Sequence, residues 1–157
     1  PIHGSGIAHG SPMRNAVEAG FVDPKRTVQV GIRGTSEPLW QFSYESGMEV
    51  MHIEEFSEIG WKNAVQKIRN IVGTSPVYVS FDVDCLDPAF APGTGTPVAG
   101  GMSTLEALQT LRGLRGLDVI GGDVVEVAPP FDPSGITALA GATVLFEILC
   151  LVAERKG

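Results

Sequence analysis

Pro76-Val77-Tyr78-Val79-Ser80-Phe81 is a short, nearly continuous apolar run without clean alternation, the pattern of a strand covered on both faces. Three comparable runs occur at Thr27 to Gly31, Met48 to Ile53 and Val119 to Val127. Helical patterns lie between them. Ser11 followed by Pro12 opens a first helix, with a Ser cap and Pro at the first helical position. A second runs from Glu58 to Ile71, with Trp61, Ala64, Val65, Ile68 and Ile71 at helical spacing. Ser103-Thr104-Leu105-Glu106 opens a third as a capping box, and the last runs from Gly135 to Arg155. Strands alternating with helices predict an α/β fold, three-layer α/β/α, with a mainly parallel sheet and helices on both faces. Ligands of such sheets bind outside the carboxyl ends of the strands. Those ends are Gly31-Ile32-Arg33-Gly34, the Glu54 region, Asp82-Val83-Asp84 and Glu126.

At 157 residues and 43% hydrophobic content, the chain has material for one core, so it is one globular domain or a piece of one. Twenty Gly and eleven Pro cluster between the apolar runs and read as tight connections. A net charge of −7 without a Lys or Arg cluster disfavours nucleic-acid binding. It would suit a cationic small substrate, yet solubility alone explains it and is the plainer reading. Cys85 and Cys150 are too few for a disulfide framework, so a cytoplasmic location is expected. No leader pattern opens the sequence. Ile136 to Ala153 approaches the roughly 17 to 25 residues of a membrane span, but Thr137, Gly141, Thr143 and Glu147 interrupt it. A buried helix of a core, with no membrane partner, is the expectation.

The segment Phe81-Asp82-Val83-Asp84-Cys85-Leu86-Asp87-Pro88 carries the strongest chemical signal. A strand ending in Asp-x-Asp delivers two carboxylates to the binding edge, where they repel each other unless a cation intervenes. Hard oxygen ligands favour Mg, Ca or Mn, and a nearby imidazole would shift the choice to Mn. Asp87 before Pro88 reads instead as a turn cap. Haloacid-dehalogenase-like phosphatases also place Asp-x-Asp after an apolar strand, but near the chain start and followed by Thr or Val, whereas Cys85 follows here. Ala91-Pro92-Gly93-Thr94-Gly95-Thr96-Pro97 lacks the Gly-Lys-Ser/Thr ending of a phosphate loop and reads as a rigid loop lining a small-molecule pocket.

Ser80 to Gly101 resembles the third metal signature of the ureohydrolases, the arginase and agmatinase family, in its agmatinase form. Val28 to Gly34, Asp123 to Asp132 and His9-Gly10-Ser11-Pro12 resemble further segments of that family. The resemblance implies an arginase-like fold and Mn-dependent hydrolysis of a guanidino compound to urea and an amine, with two Mn ions. Agmatine is the leading substrate, and guanidino acids such as guanidinobutyrate are the alternative. Asp82 would bridge the two ions and Asp84 would bind one and orient the nucleophile. Glu126 would hold the guanidinium, Thr96 would contact substrate more weakly, and His9 would contact substrate and shuttle protons. A trimer or hexamer is the implied assembly.

The family's first two signatures, Gly-Gly-Asp-His and Asp-Ala-His-x-Asp, supply four of its six metal ligands and do not occur here. Residues 1–157 are therefore expected to be the C-terminal part of a single ureohydrolase domain, or a degenerate, non-catalytic member that assembles with a complete subunit. Alone, such a chain should expose an unpaired sheet edge and apolar helix faces. His3 and His52 match no motif and read as surface or packed histidines. Trp40, Phe42 and Tyr44 read as packing residues of a loop, with a place in the pocket wall as the alternative for one of them.

Overall fold

The β-branched runs pair as parallel strands, as near-continuous apolarity predicts. The computed structural model of the chain describes residues 9–34 and 37–155. His3 lies outside them. Strand β1 (Val28–Ile32) pairs with β2 (Glu49–His52), and β3 (Val77–Asp82) with β4 (Val119–Val125), both in parallel. Among the described residues five α-helices accompany them: α1 (Pro12–Glu18), α2 (Glu37–Ser46), α3 (Ile53–Val72), α4 (Thr104–Gly113) and α5 (Ile136–Ala153).

The two strand pairs form separate sheets that share one core. Ile68 and Val72 of α3, Leu111 and Leu114 around the end of α4, Val119, and Val144, Ile148 and Leu151 of α5 are buried together. Val28, Val30, Val77, Val79 and Val124 pack against them. Each such side chain removed from water contributes about 1.5 to 3 kcal/mol. A second cluster, around Met51, Phe56, Ala64, Leu86 and Met102, seats the amino end of α3 and the segment after β3.

Coverage of the strands departs from the sequence expectation in one pair. Successive strand residues face opposite sides, and Val50 and Met51 are both buried, so β2 is covered on both faces. On the β3–β4 pair, Val77, Val79 and Val124 face the helices, whereas Tyr78 is 55% exposed and Ser80 is exposed as well. Among the described residues, helices cover one face of this pair only. On the open face the hydroxyls of Tyr78 and Ser80 donate to Asp123 at 2.9 and 2.7 Å, a cross-strand link that follows from the register Ser80↔Asp123.

Two helices differ from the sequence reading. The segment carrying Trp40, Phe42 and Tyr44 is helical, as α2, not a loop. Its alternate-residue aromatics disguised the helical period, yet Trp40 and Tyr44 are four apart and lie on one face, as helical neighbours do. Helix α3 begins at Ile53, five residues before the expected Glu58, because two helical pieces join across a kink at Gly60 (φ 73°). That backbone conformation suits a residue without Cβ. The capping box of α4 is present, with Ser103 and Glu106 bonded reciprocally.

Helix α5 is long and apolar enough to cross a membrane by length and composition. It packs on β4 and α4, burying Thr137, Gly141, Val144, Glu147, Ile148 and Leu151. Its other face, with Leu139, Leu145, Phe146 and Leu149, is exposed, in agreement with the apolar helix face expected of this chain.

Candidate active site

Strand β3 ends at Asp82 and passes into a single 3-10 turn, Val83–Cys85. Val83 is fully buried and anchors the turn, and the Asp84 backbone N–H donates to Asp82 Oδ1 at 2.9 Å. The two carboxylates are thereby delivered to the same strand end. Burial pushes the Asp82 carboxyl up to about 7, and the neighbouring Asp84 and Glu126 carboxylates add to the rise, against the lowering effect of the Asp84 N–H. A cation placed there would relieve both the desolvation and the repulsion.

The loop beyond the turn is folded back on itself. Asp87 accepts from the backbone N–H groups of Ala89, Gly100 and Gly101, which hold its carboxyl below the usual range, so it is the expected turn cap. A bridge between Leu86 and Met102 closes the neck. The loop so formed carries Thr96, whose hydroxyl donates to Asp84 Oδ2 at 3.0 Å. Thr96 therefore touches a carboxylate of the pair. Thr94 is buried, and its hydroxyl is without a hydrogen-bond partner among the described residues.

Glu126 follows β4 with φ 66°, a left-handed conformation that no other non-glycine residue adopts among those described. Such backbone costs about 1 to 3 kcal/mol and gathers at functional sites. Its Oε1 lies 3.6 Å from His9 Nδ1, and a Cβ at Gly95 would stand 3.9 Å from its Oε2. The Ala128 N–H donates to the Gly93 carbonyl at 2.8 Å, and the Gly93 N–H to Thr137 at 2.7 Å. Asp132 accepts from the Thr137 and Ala138 N–H groups at the start of α5. The Thr96 loop is thus stitched to the exit of β4, so that Asp82, Asp84, Thr96 and Glu126 gather at the carboxyl ends of β3 and β4, with His9 beside Glu126.

Three contributors escaped the sequence reading: the Asp87 clamp on Gly100 and Gly101, the Asp132 cap of α5, and Arg33. The signal for Arg33 was its place at a strand end in Gly31-Ile32-Arg33-Gly34. Its guanidinium reaches the backbone carbonyls of Asp84, Leu86 and Val98. His52 is a packed histidine, as expected. Tyr44 shares a 2.6 Å hydrogen bond with its Nε2, and Trp40 meets it edge-on at 5.0 Å.

Asp82 and Asp84 are hard oxygen donors with the mutual repulsion that a hard cation satisfies. Among the described residues, no group of three or more His, Cys, Asp or Glu side chains could hold a metal. The donor set therefore fits a share of a hard-metal site. A cavity of about 330 Å³ between α4 and α5 is lined by apolar residues such as Leu108, Leu139 and Val144 and by none of the three carboxylates.

The pattern of the arginase family matches residues 1–151. The chain is 60% identical over 148 residues to a guanidinopropionase of Pseudomonas aeruginosa, covering 93% of this chain and 46% of that protein. It is 48% identical over 154 residues to an agmatinase of Neisseria meningitidis serogroup C, covering 98% and 48%. A crystal structure of a hypothetical agmatinase from Burkholderia thailandensis superposes with a TM-score of 0.82 at 50% identity, covering 91% of this chain and 44% of that one. The chain spans slightly less than half the length of each of these proteins. The carboxylate pair at the end of a parallel strand and the match across nearly all its residues agree: this chain belongs to the arginase family.

Proposed function

We propose that this chain forms the part of a longer ureohydrolase that binds the guanidinium and holds a share of the metal, in an enzyme converting a guanidino compound and water to urea and an amine. The observation that carries this reading is the meeting of the Asp82–Asp84 pair with Glu126 at the carboxyl ends of β3 and β4, with His9 beside Glu126. A carboxylate facing a planar cation forms charge-assisted hydrogen bonds, and Glu126, half-buried beside His9, is placed for that task. Two Mn ions, with Asp82 and Asp84 among their ligands, would supply a water acidic enough to act as nucleophile at neutral pH.

The remaining work falls to the protein side chains. Thr96 holds one Asp84 oxygen through its hydroxyl and so fixes the orientation of that carboxylate. Glu126 concentrates the positive charge of the guanidinium on the side facing it. His9, open to solvent and beside Glu126, delivers the proton that the departing amine needs as its C–N bond breaks.

For the substrate, two readings stand. Agmatine suits the acidic chain and the agmatinase at 48% identity. A guanidino acid is favoured by the guanidinopropionase at 60% identity. The test is to express residues 1–157 joined to their own upstream coding sequence, load the product with Mn, and measure urea release from agmatine, arginine, guanidinobutyrate and guanidinopropionate. Urea from one of these supports the proposal and names the substrate. No urea from any of them, with Mn bound, would overturn it.

A further inference from the structure

Strand β1 carries a bulge at its carboxyl end, where the register with β2 shifts between Val30 and Ile32. Gly31 lies at the shift with φ 83°, a left-handed conformation that favours glycine, and its open side faces the end of the Met102 side chain. Bulges re-aim the residues that follow them. Here the residue re-aimed is Arg33. Its Nη2 donates to the carbonyls of Asp84 at 2.7 Å, Leu86 at 3.2 Å and Val98 at 2.6 Å, and its Nε also donates to Val98 at 3.0 Å.

These acceptors belong to two segments, and both carry site residues. Asp84 and Leu86 flank Cys85 in and just after the turn that follows β3, and Val98 closes the stretch that begins at Thr96. A single planar group therefore ties the backbone of Asp84 to the backbone two residues beyond Thr96, the pair whose side chains meet at 3.0 Å. The fixed fork of a guanidinium satisfies carbonyls converging from different directions, which a lysine ammonium matches poorly.

We propose that Arg33 is a positioning residue: it holds Asp84 and the Thr96 loop in the mutual register that the carboxylate site needs. The inference rests on the metal-site reading above. The hydrogen bonds of Arg33 all go to backbone carbonyls and none to a side chain of the site, so it holds the site through backbone placement. Groups that orient metal ligands from outside typically contribute about 10- to 100-fold to metal affinity or activity.

The experiment compares the parent enzyme, extended by its upstream sequence, with R33M, R33K and R69M. Arg69 is a matched control, because its guanidinium also donates to two backbone carbonyls, Gly113 at 3.2 Å and Arg115 at 3.0 Å, with none of the site residues among them. Mn affinity, kcat, KM and Tm are measured for all four. The expected result is that R33M loses about 10- to 100-fold in Mn affinity and in kcat, with KM changed less because Glu126 is untouched. R33K should fall between R33M and the parent. R69M should lower Tm without moving Mn affinity or kcat. The inference is overturned if R33M and R33K bind Mn and turn over like R69M. It is equally overturned if R33K fails to fold while R69M folds, which would make Arg33 a folding residue. A parent that binds no Mn and releases no urea would instead sink the functional reading itself, and the two failures are told apart by that first measurement.

Discussion

His9 Nδ1 stands 3.6 Å from Glu126 Oε1, and Glu126 meets it from a left-handed backbone. The two facts make stability and function separable at one position. Glu126→Gly relieves a conformation that costs a non-glycine residue about 1 to 3 kcal/mol and removes the carboxylate. Its Tm is expected to rise while guanidinium hydrolysis is lost. Glu126→Gln keeps the shape and loses the charge, and should weaken substrate binding by about 1.5 to 3 kcal/mol. Melting curves and KM for the extended enzyme check both. A Glu126→Gly protein that is less stable than its parent would show that the backbone is not strained by the side chain.

His9→Asn should depress turnover by about a hundredfold to ten-thousandfold, the usual contribution of a general acid, with bound Mn preserved. The measurement is kcat together with metal content after dialysis. Loss of Mn in this variant would place His9 among the ligands.

Much of this site was legible because its residues sit at the ends of apolar strands. Asp82, Asp84 and Glu126 follow from that rule, and β3 runs over the predicted residues. Helix α2 was not legible, because its aromatics alternate by two along the sequence and the partner that Trp40 and Tyr44 share, His52, belongs to another element. Arg33 could be located but its role could not: its partners are backbone carbonyls 51 to 65 residues away, and any residue type supplies those. The open face of β3 was concealed for a different reason. Tyr78 and Ser80 interrupt the apolar run only weakly, and one sequence does not say whether a second layer lies within the same chain.

Glu147 lies in the apolar α5, and Arg112 holds it through hydrogen bonds from Nε and Nη2. Those bonds keep its carboxyl below the ordinary 4.5, against the opposing effect of burial. A lowered carboxyl contributes stability that is fully present above the ordinary value and is lost as pH falls through the lower, folded value. Glu147→Gln should therefore cost about 1 kcal/mol at pH 7, a Tm drop of about 2 to 4 °C in a chain of this size. The difference from the parent should shrink below pH 4.5. Tm measured from pH 3 to pH 7 for both proteins gives the answer, and a constant difference across that range would deny the ion pair its role.

Trp40 and Tyr44 project from α2 onto His52 at the carboxyl end of β2. If this cluster walls the substrate pocket, Trp40→Ala should change the ratio of kcat/KM for agmatine to that for a guanidino acid more than it changes Tm. A pocket contact of this kind is worth about 1 to 3 kcal/mol of discrimination. Equal losses on both substrates would make Trp40 a packing residue.

Residues 1–157 made alone are expected to bind Mn weakly and to release no urea. A two-metal site must hold its ions about 3.5 to 4 Å apart; of the ligands that the family resemblance implies, this chain carries Asp82 and Asp84, and no group of three or more His, Cys, Asp or Glu side chains among the described residues could hold a metal. Two carboxylates cannot hold both ions. The same chain leaves Tyr78 on a bare sheet face and Leu139, Phe146 and Leu149 of α5 between 58 and 63% exposed, while β1 and β3 share a core without being hydrogen-bonded to each other. Exposed apolar surface of this kind favours self-association or capture of a partner. Purified residues 1–157 should therefore elute as aggregate or oligomer, retain little Mn after dialysis, and gain stoichiometric Mn and urea release only when the upstream sequence is restored. Two tightly bound Mn per short chain, with urea released from a guanidino substrate, would show that other residues complete the site and that the ligand count is wrong.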